Sequence, residues 1–407
     1  MKRIFILFIT IITLTACDQA AETPNASNTP VPPTATAEDL PTEALTSEST
    51  DVSEPTITQE EPTQDSLPLS FSKGTQNLGN TMSFGLAVAD IDMDNDMDIF
   101  FANLNSGSKL WINNGNGNFA PSAQMFGPSN AEMHDVGIAD LNGDSYPDIF
   151  LIGHNGTNRI FFNDGTGVFT ESEQNLSKNA NPQWLLLGDV DVDGDIDAII
   201  MYSRSPNLLW LNDGTGFFTL SDTGYGGNSA IKMRMADFNA DTFPDMVLIN
   251  YNKPANILFN DGAGNFTDSG QSIGGEIGDD NIAIGDIDGD GDQDIITSSS
   301  ISGYFKVWLN QDGSGLFEEA GTYSASGLVE LFDADLDGDL DLITARFDNI
   351  NSFWLNVGSG SFTSMGEIFE NKRVLSIGVA DFDADGDFDI VFGILAGSGG
   401  NRIFWNE

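Results

Sequence analysis

An acidic nonapeptide of the form Asp-x-Asp/Asn-x-Asp-x-x-x-Asp recurs seven times along this chain, at intervals of 47 to 50 residues. Carboxylate or amide side chains stand at positions 1, 3, 5 and 9 of each copy, so that four oxygen donors lie within one short loop. Calcium binds roughly six to eight hard oxygen ligands, which carboxylates and backbone carbonyls supply together. The pattern therefore predicts up to seven calcium-binding loops.

Each predicted site uses the side chains of positions 1, 3, 5 and 9 and, in addition, the backbone carbonyl oxygen of position 7. The side-chain ligands predicted for the successive copies are Asp90, Asp92, Asp94 and Asp98; Asp140, Asn142, Asp144 and Asp148; Asp189, Asp191, Asp193 and Asp197; Asp237, Asn239, Asp241 and Asp245; Asp286, Asp288, Asp290 and Asp294; Asp333, Asp335, Asp337 and Asp341; and Asp381, Asp383, Asp385 and Asp389.

The second and fourth copies carry a leaner ligand set. Each has Asn at position 3 (Asn142 and Asn239), lacks Gly at position 6 and has no Asp at position 7. Four of the other five copies have Gly at position 6, and the first has Asn95, a residue type that tolerates the left-handed conformation. Weaker calcium binding is therefore predicted for the second and fourth loops.

Three other interpretations of the loops fit less well. An EF-hand needs Glu at position 12 and flanking helices, whereas this chain has Phe101, Ile200 or Thr297 there, between strand-like segments. Magnesium prefers octahedral sites that keep several waters. Acidic turns without a metal would leave clustered carboxylates repelling one another. Calcium is accordingly the predicted cofactor.

The residues around each acidic loop predict four short antiparallel strands. In the first repeat, apolar runs cover residues 86–89, 99–101 and 110–113, and a Gly-rich turn leads to Phe119. Asn-Gly and Asp-Gly pairs supply the positive φ that tight hairpins require. A period of this length suits one four-stranded blade of a propeller. Aromatic residues at the third-strand position, such as Trp111 and Trp210, are expected in the core because Leu258 takes the same place.

The two ends of the repeat region complement each other. The seventh repeat stops at Glu407, before its outer strand, and residues 69–72 match the outer-strand segments that begin at Phe119, Phe169 and Phe266. A ring can split one repeat across its termini in this way. The predicted fold is an all-β, seven-bladed propeller whose last blade is closed by the N-terminal strand.

With these motifs, residues 70–407 resemble the FG-GAP/VCBS-repeat propellers found in the head of integrin α chains and in many bacterial surface proteins. The resemblance implies that the calcium loops join the first and second strands of each blade and lie on one face. It also implies that ligands bind the opposite face or the gaps between blades. Because the family includes lectins, adhesion receptors and noncatalytic companions of enzymes, both glycan and protein partners stay open.

Residues 1–16 are typical of a signal peptide, with Lys2 and Arg3 before a short apolar run. The sequence up to Cys17 resembles a bacterial lipobox, which implies that Cys17 becomes lipidated; the alternative is an ordinary signal peptide with an incidental cysteine. Residues 17–66 are rich in Thr, Pro, Ser and Glu and predict a disordered tether before the propeller of residues 67–407. The expected location is the bacterial cell envelope, at the outer membrane or surface, although Asp18 resembles an inner-membrane retention signal of enteric bacteria.

Composition limits the possible functions. The chain has 62 acidic against 15 basic residues, a net charge of −47, which argues against nucleic acid because phosphate binding needs basic residues. Cys17 is the single cysteine, so the fold has no disulfide. The favoured function is a noncatalytic, membrane-tethered, calcium-stabilised module that binds glycan or protein.

Two other functions stay open. A scaffold for proteins alone is one. The other is a calcium-dependent polysaccharide lyase or hydrolase that would use basic residues opposite the calcium loops, namely Arg204, Arg346, Lys372, Arg373 and Arg402. The two histidines, His134 and His154, are expected on loops of that face as well. No nucleophile elbow, phosphate loop or zinc-spaced His/Cys set is present.

Overall fold

The computed structural model describes residues 69–407 except 155–156, 177–180, 203–204, 226–229, 252, 275–278, 348–350 and 371, with the backbone alone for 222–225. The predicted signal peptide and tether, including Cys17, therefore lie outside the described residues. Seven antiparallel four-stranded sheets form the described part of the chain, which contains no helix long and apolar enough to cross a membrane.

Each sheet is one blade of a β-propeller, and its strands are neighbours in sequence order. Blade by blade, the strands are β2 (Met82–Ala89), β3 (Asp98–Leu104), β4 (Lys109–Ile112) and β5 (Ala120–Pro121); β6 (Met133–Ala139), β7 (Asp148–Gly153), β8 (Arg159–Asn163) and β9 (Phe169–Glu171); β10 (Pro182–Gly188), β11 (Asp197–Tyr202), β12 (Asn207–Asn212) and β13 (Phe218–Tyr225); β14 (Ala230–Ala236), β15 (Asp245–Asn250), β16 (Lys253–Asn260) and β17 (Phe266–Ile273); β18 (Asn281–Gly285), β19 (Asp294–Ser299), β20 (Tyr304–Asn310) and β21 (Phe317–Tyr323); β22 (Leu328–Phe332), β23 (Asp341–Ala345), β24 (Asn351–Asn356) and β25 (Phe362–Gly366); and β26 (Val374–Ala380), β27 (Asp389–Ile394) and β28 (Arg402–Asn406) with β1 (Phe71–Lys73).

The N-terminal strand completes the last blade, as the sequence predicted. β1 pairs antiparallel with β28, with Phe71 opposite Asn406 and Lys73 opposite Phe404. The backbone amide of Gly74 continues the contact by donating to the carbonyl of Ile403. The prediction of an all-β, seven-bladed propeller closed in this way is confirmed.

The core lies between blades. The second strand of each blade is covered on both faces by neighbouring sheets, which explains why runs such as residues 99–102 are apolar without alternation. Buried side chains of the described residues form seven clusters, each shared by two adjacent blades. One of these clusters joins Ile99 and Phe101 of the first blade to Phe382 and Val391 of the seventh, so apolar packing also closes the ring.

The third-strand aromatic residues belong to this core. Trp210, Phe161, Leu258, Trp308 and Phe404 are buried. Trp111 and Trp354 are half-buried and pack against the same clusters. The sequence-based assignment to the core is confirmed, and the side chains account for packing between blades.

Candidate metal centres

The acidic loops are built on a backbone with two left-handed residues. Each loop joins the first and second strands of its blade. Position 6 has positive φ in every copy, including Asn95 at 72°, Ser145 at 70° and Thr242 at 75°. Position 4 does as well, and there Val192 has φ of 60°. The sequence predicted the bend at position 6 in the five copies that carry Gly or Asn there, but not in the second and fourth copies and not the bend at position 4.

The carboxylate of position 1 holds this turn in place. Asp90 accepts hydrogen bonds from the amides of Asp94 and Asn95 at 3.0 and 2.9 Å. In all seven copies the position-1 carboxylate accepts the amide of position 6. These bonds satisfy backbone groups that the tight turn would otherwise leave exposed.

The carboxylate of position 9 is a clamp between two strands. Asp98 accepts the amide of Ile91 at 3.0 Å on one oxygen and the amide of Asn113 at 2.7 Å on the other. The same pair of bonds recurs in every blade. Burial raises the pKa of Asp98 to about 7, although the two hydrogen bonds act in the opposite direction and lower it. Position 9 therefore ties the acidic loop to the end of the third strand, in addition to any metal contact.

Five loops bring three carboxylates together. One oxygen of each lies within 4.8 Å of the others in the groups Asp90, Asp92 and Asp94; Asp189, Asp191 and Asp197; Asp286, Asp288 and Asp290; Asp333, Asp335 and Asp341; and Asp381, Asp383 and Asp385. These are the five copies with a full set of carboxylates. In the described residues, the second and fourth loops form no such group.

The negative charge of the position-3 carboxylates is electrostatically unfavourable in the five full loops. The pKa of Asp92 is raised first by burial and then by the neighbouring charge of Asp94. The same two causes, in the same order, raise the pKa of Asp191, Asp288, Asp335 and Asp383. In the first, third, sixth and seventh loops, a buried carboxylate oxygen of Asp92, Asp191, Asp333, Asp381, Asp383 or Asp387 has no hydrogen-bond partner among the described residues.

The lean loops have the same backbone with fewer charges. Asn142 and Asn239 each accept the amide of position 5 at 3.0 Å, as a position-3 aspartate does. Tyr146 and Phe243 replace the position-7 aspartate. The weaker calcium binding predicted for these loops stays a prediction.

The other residues singled out in the sequence lie away from the acidic loops. His134 is the second residue of β6 and His154 directly follows β7, so both lie at the strand ends opposite the acidic loops. Their ring centroids lie 3.8 Å apart with the planes tilted by 36°, and His154 Nδ1 lies 3.0 Å from a carboxylate oxygen of Glu132. These two histidines form no three-residue metal-ligand group with described neighbours.

Some of the basic residues considered for catalysis already interact with other residues of the protein. Arg402 lies 3.7 Å from Glu370 and donates to the carbonyl of Gly399. The guanidinium of Arg373 lies 5.1 Å above the ring of Phe347. Arg204 lies outside the described residues.

Sequence reasoning missed two sets of functional residues. One is the Asn at the end of each third strand, which was visible in the repeat but had no assigned role. The other is a group of charged residues on the innermost strands, Asp135, Lys232, Arg234 and Glu330, which line the central channel. The second set could have been recognised in the sequence, because its charged residues stand isolated within otherwise apolar strand segments.

FG-GAP-like repeats match residues 90–151, 140–200, 237–297 and 333–392, which together cover more than half of the chain. The protein belongs to the FG-GAP-like repeat family. Among solved structures, it is similar to BBS1N crystallised in complex with ARL6DN and soaked with lead, at 7% identity and a TM-score of 0.57. The mercury-soaked crystal of the same complex is similar at 8% identity and a TM-score of 0.59. Both comparisons cover 83% of this chain and 97% of the other and show the fold alone. No curated protein matches the chain.

Proposed function

We propose that this propeller is a calcium-stabilised binding module of the cell envelope, which takes a protein partner on the face opposite its acidic loops. Membrane attachment through Cys17 is part of the proposal and rests on the lipobox-like sequence before that residue. Replacing Cys17 with Ser should move the chain from the membrane fraction to the soluble fraction. Unchanged fractionation would contradict the anchor but leave the binding module intact.

The buried oxygens without partners support a cation in the loops. Leaving a buried carboxylate oxygen unpaired costs free energy, and neighbouring carboxylates add repulsion. A divalent cation bound by positions 1 and 3 together with position 5 or 9, with further oxygens from the loop, would compensate both. Oxygen-only donors in an irregular loop suit calcium better than magnesium. Calcium would act structurally here, by binding the folded state alone.

Chelation tests the calcium proposal. Thermal unfolding is followed in EDTA, in excess calcium and in excess magnesium at equal ionic strength. We expect calcium to raise the melting temperature by many degrees over EDTA and magnesium to raise it much less. Equal melting temperatures in EDTA and calcium would overturn the metal assignment.

Exposed apolar side chains support the choice of face. In antiparallel blades, the loops between second and third strands lie at the edge opposite the acidic loops. Three consecutive blades carry a large apolar residue there, Tyr251, Ile301 and Phe347, with exposed fractions of 62%, 66% and 54%. Several large exposed apolar residues on one face are a feature of interaction surfaces. The similar propeller BBS1N was crystallised with a protein, ARL6DN, which accords with a protein partner.

A matched pair of variants tests the face. One variant replaces Tyr251, Ile301 and Phe347 with Ser; the control replaces Val168, Phe217 and Leu316, which are equally exposed on hairpin loops of the acidic face. Partners are captured by cross-linking on intact cells and compared among the wild type and both variants. We expect the first variant alone to lose its cross-linked protein.

Glycan binding is the competing outcome. The purified chain is applied to a glycan array in parallel, and bound sugars are checked for new reducing or unsaturated ends. Saturable glycan binding that survives the triple Ser variant, with no protein captured, would replace the protein-binding proposal. Turnover of a polysaccharide would replace it with an enzyme.

A further inference from the structure

The innermost strands enclose a central channel with a cavity of about 280 Å³. Polar and apolar atoms share its wall about equally, and Leu86, Leu185, Leu331 and Ile377 are among the apolar lining residues. Four charged side chains also line it: Asp135 from the second blade, Lys232 and Arg234 from the fourth, and Glu330 from the sixth. Lys232 is buried and the other three are half-buried. A channel that served only as packing space would have no reason to draw four charges away from bulk water.

The strand geometry directs these groups inward. Five first strands have a register irregularity near their starts, and it falls immediately before Asp135 and Lys232 in two of them. A bulge of this kind turns the following side chains relative to the regular pleat, and bulges often occur beside functional sites. Lys232 and Arg234 stand two residues apart, so they project from the same face of β14.

Two of the four charges have partners in the protein. The carboxylate of Asp135 accepts the amides of Val136 and Leu185, both at 3.0 Å. The ammonium of Lys232 donates to Asn281 at 2.8 Å and lies 4.7 Å from the centre of the Trp184 ring. These contacts reduce the need of both groups for a further partner.

The other two charges face the cavity without a contact ion pair, although the positive charges of Arg234 and Lys232 act on Glu330 from a distance. Arg234 donates one hydrogen bond, to the carbonyl of Met233 at 3.3 Å, and forms no ion pair with a described residue. Glu330 has neither a hydrogen bond nor an ion pair within the described part of the chain. A guanidinium with free donors pairs with carboxylates in bidentate geometry, and a free carboxylate accepts an ammonium.

We propose that the channel binds a free α-amino acid with an apolar side chain, its carboxylate on Arg234 and its ammonium on Glu330. The formal charges of the lining cancel, so a zwitterion preserves neutrality, whereas a simple anion meets Asp135 and Glu330 and a simple cation meets Lys232 and Arg234. The apolar lining receives the side chain. The cavity lies near the lower end of ligand pockets, which span about 300–1,000 Å³, and so favours a ligand of this size.

Titration calorimetry on the full-length chain tests the site, with L-leucine, L-isoleucine, L-valine, L-methionine and L-phenylalanine as separate probes. The analogues 4-methylpentanoate and 3-methylbutylamine lack the ammonium and the carboxylate of leucine. We expect saturable heat from at least one amino acid, and binding of each leucine analogue weaker than that of leucine by about tenfold or more, the effect of losing one charged hydrogen bond. Absence of saturable heat from all five amino acids would overturn the proposal.

Arg234→Gln and Glu330→Gln should each abolish the heat. Lys306→Gln is the matched control, because it removes a charge paired with Glu319 on the outer part of a blade. Melting temperatures establish that each variant is folded; if Arg234→Gln does not fold, Glu330→Gln and the two analogues carry the test. Binding retained by a folded Glu330→Gln variant with unchanged affinity contradicts the assignment. Neither result depends on calcium or on a protein partner.

Discussion

The side-chain Nδ2 of Asn113 in the first blade donates a hydrogen bond of 2.8 Å to the carbonyl oxygen of Phe382 in the seventh. Each of the other six third-strand asparagines donates to the position-2 carbonyl of the preceding blade in the same way. The backbone amide of each asparagine also donates a hydrogen bond to the carboxylate of the position-9 aspartate of its own blade. The acidic loops are thereby linked around the whole ring.

Asn113→Ala should destabilise the propeller by about 1–3 kcal/mol, because it removes the side-chain hydrogen bonds to the carbonyls of Phe382 and Met97, and Phe382 keeps only the backbone amide of Gly117 as a donor. The control is Asn116→Ala, in an exposed turn where the side chain makes only local contacts. Denaturant unfolding midpoints in saturating calcium compare the two variants. A control as destabilised as Asn113→Ala would contradict a ring-linking role.

Val192→Gly should stabilise the chain. Val192 is half-exposed at a left-handed φ of 60°, which costs a β-branched residue roughly 1–2 kcal/mol. Glycine removes that strain, and the gain exceeds its additional entropy in the unfolded state. Val168→Gly, at an exposed turn residue without positive φ, is the comparison and should lose stability. Equal losses in both variants would show that the loop carries no strain at position 4.

The sequence was sufficient for the blade count, the strand order and the closure by β1, because each rests on a local pattern repeated seven times. It was also sufficient for the position-6 bend in five loops, since Gly or Asn stands there, whereas Ser145 and Thr242 adopt the same conformation without such a signal. The link from Asn113 to Phe382 was not predictable, because it joins residues 269 apart and requires the blade-to-blade spacing. The grouping of charged residues in the channel was not predictable for a related reason, because Asp135 and Glu330 become neighbours of Lys232 only when the ring is formed.

Asp288→Ala and Asn142→Ala compare a full loop with a lean one at the same position. Each side chain accepts the amide of position 5, at 3.3 and 3.0 Å, so both substitutions remove the same local hydrogen bond. Only Asp288 contributes a negative charge to a three-carboxylate group. In calcium, Asp288→Ala should lower the melting temperature clearly more than Asn142→Ala, and in EDTA the order should disappear. An unchanged order in EDTA would trace the difference to packing instead of metal.

His134 makes stability depend on pH in the acidic range. Burial, followed by the neighbouring His154, lowers the pKa of His134 from 6.5 to about 4, and its buried Nε2 has no hydrogen-bond partner among the described residues. Between these two values the unfolded chain binds a proton that the folded chain does not, so this group removes stability as the pH falls from about 6.5 to about 4. His134→Phe keeps an aromatic ring beside Phe84, whose ring centroid is 5.4 Å away, and cannot be protonated.

The difference in melting temperature between His134→Phe and the wild type should therefore grow in favour of the variant as the pH is lowered from 7 to 5. Burial raises the pKa of position-9 carboxylates such as Asp98, which acts in the opposite direction. That contribution is common to both proteins and cancels in the difference. Parallel pH profiles for the two proteins would show that His134 titrates alike in the folded and unfolded chains, contrary to its burial against His154.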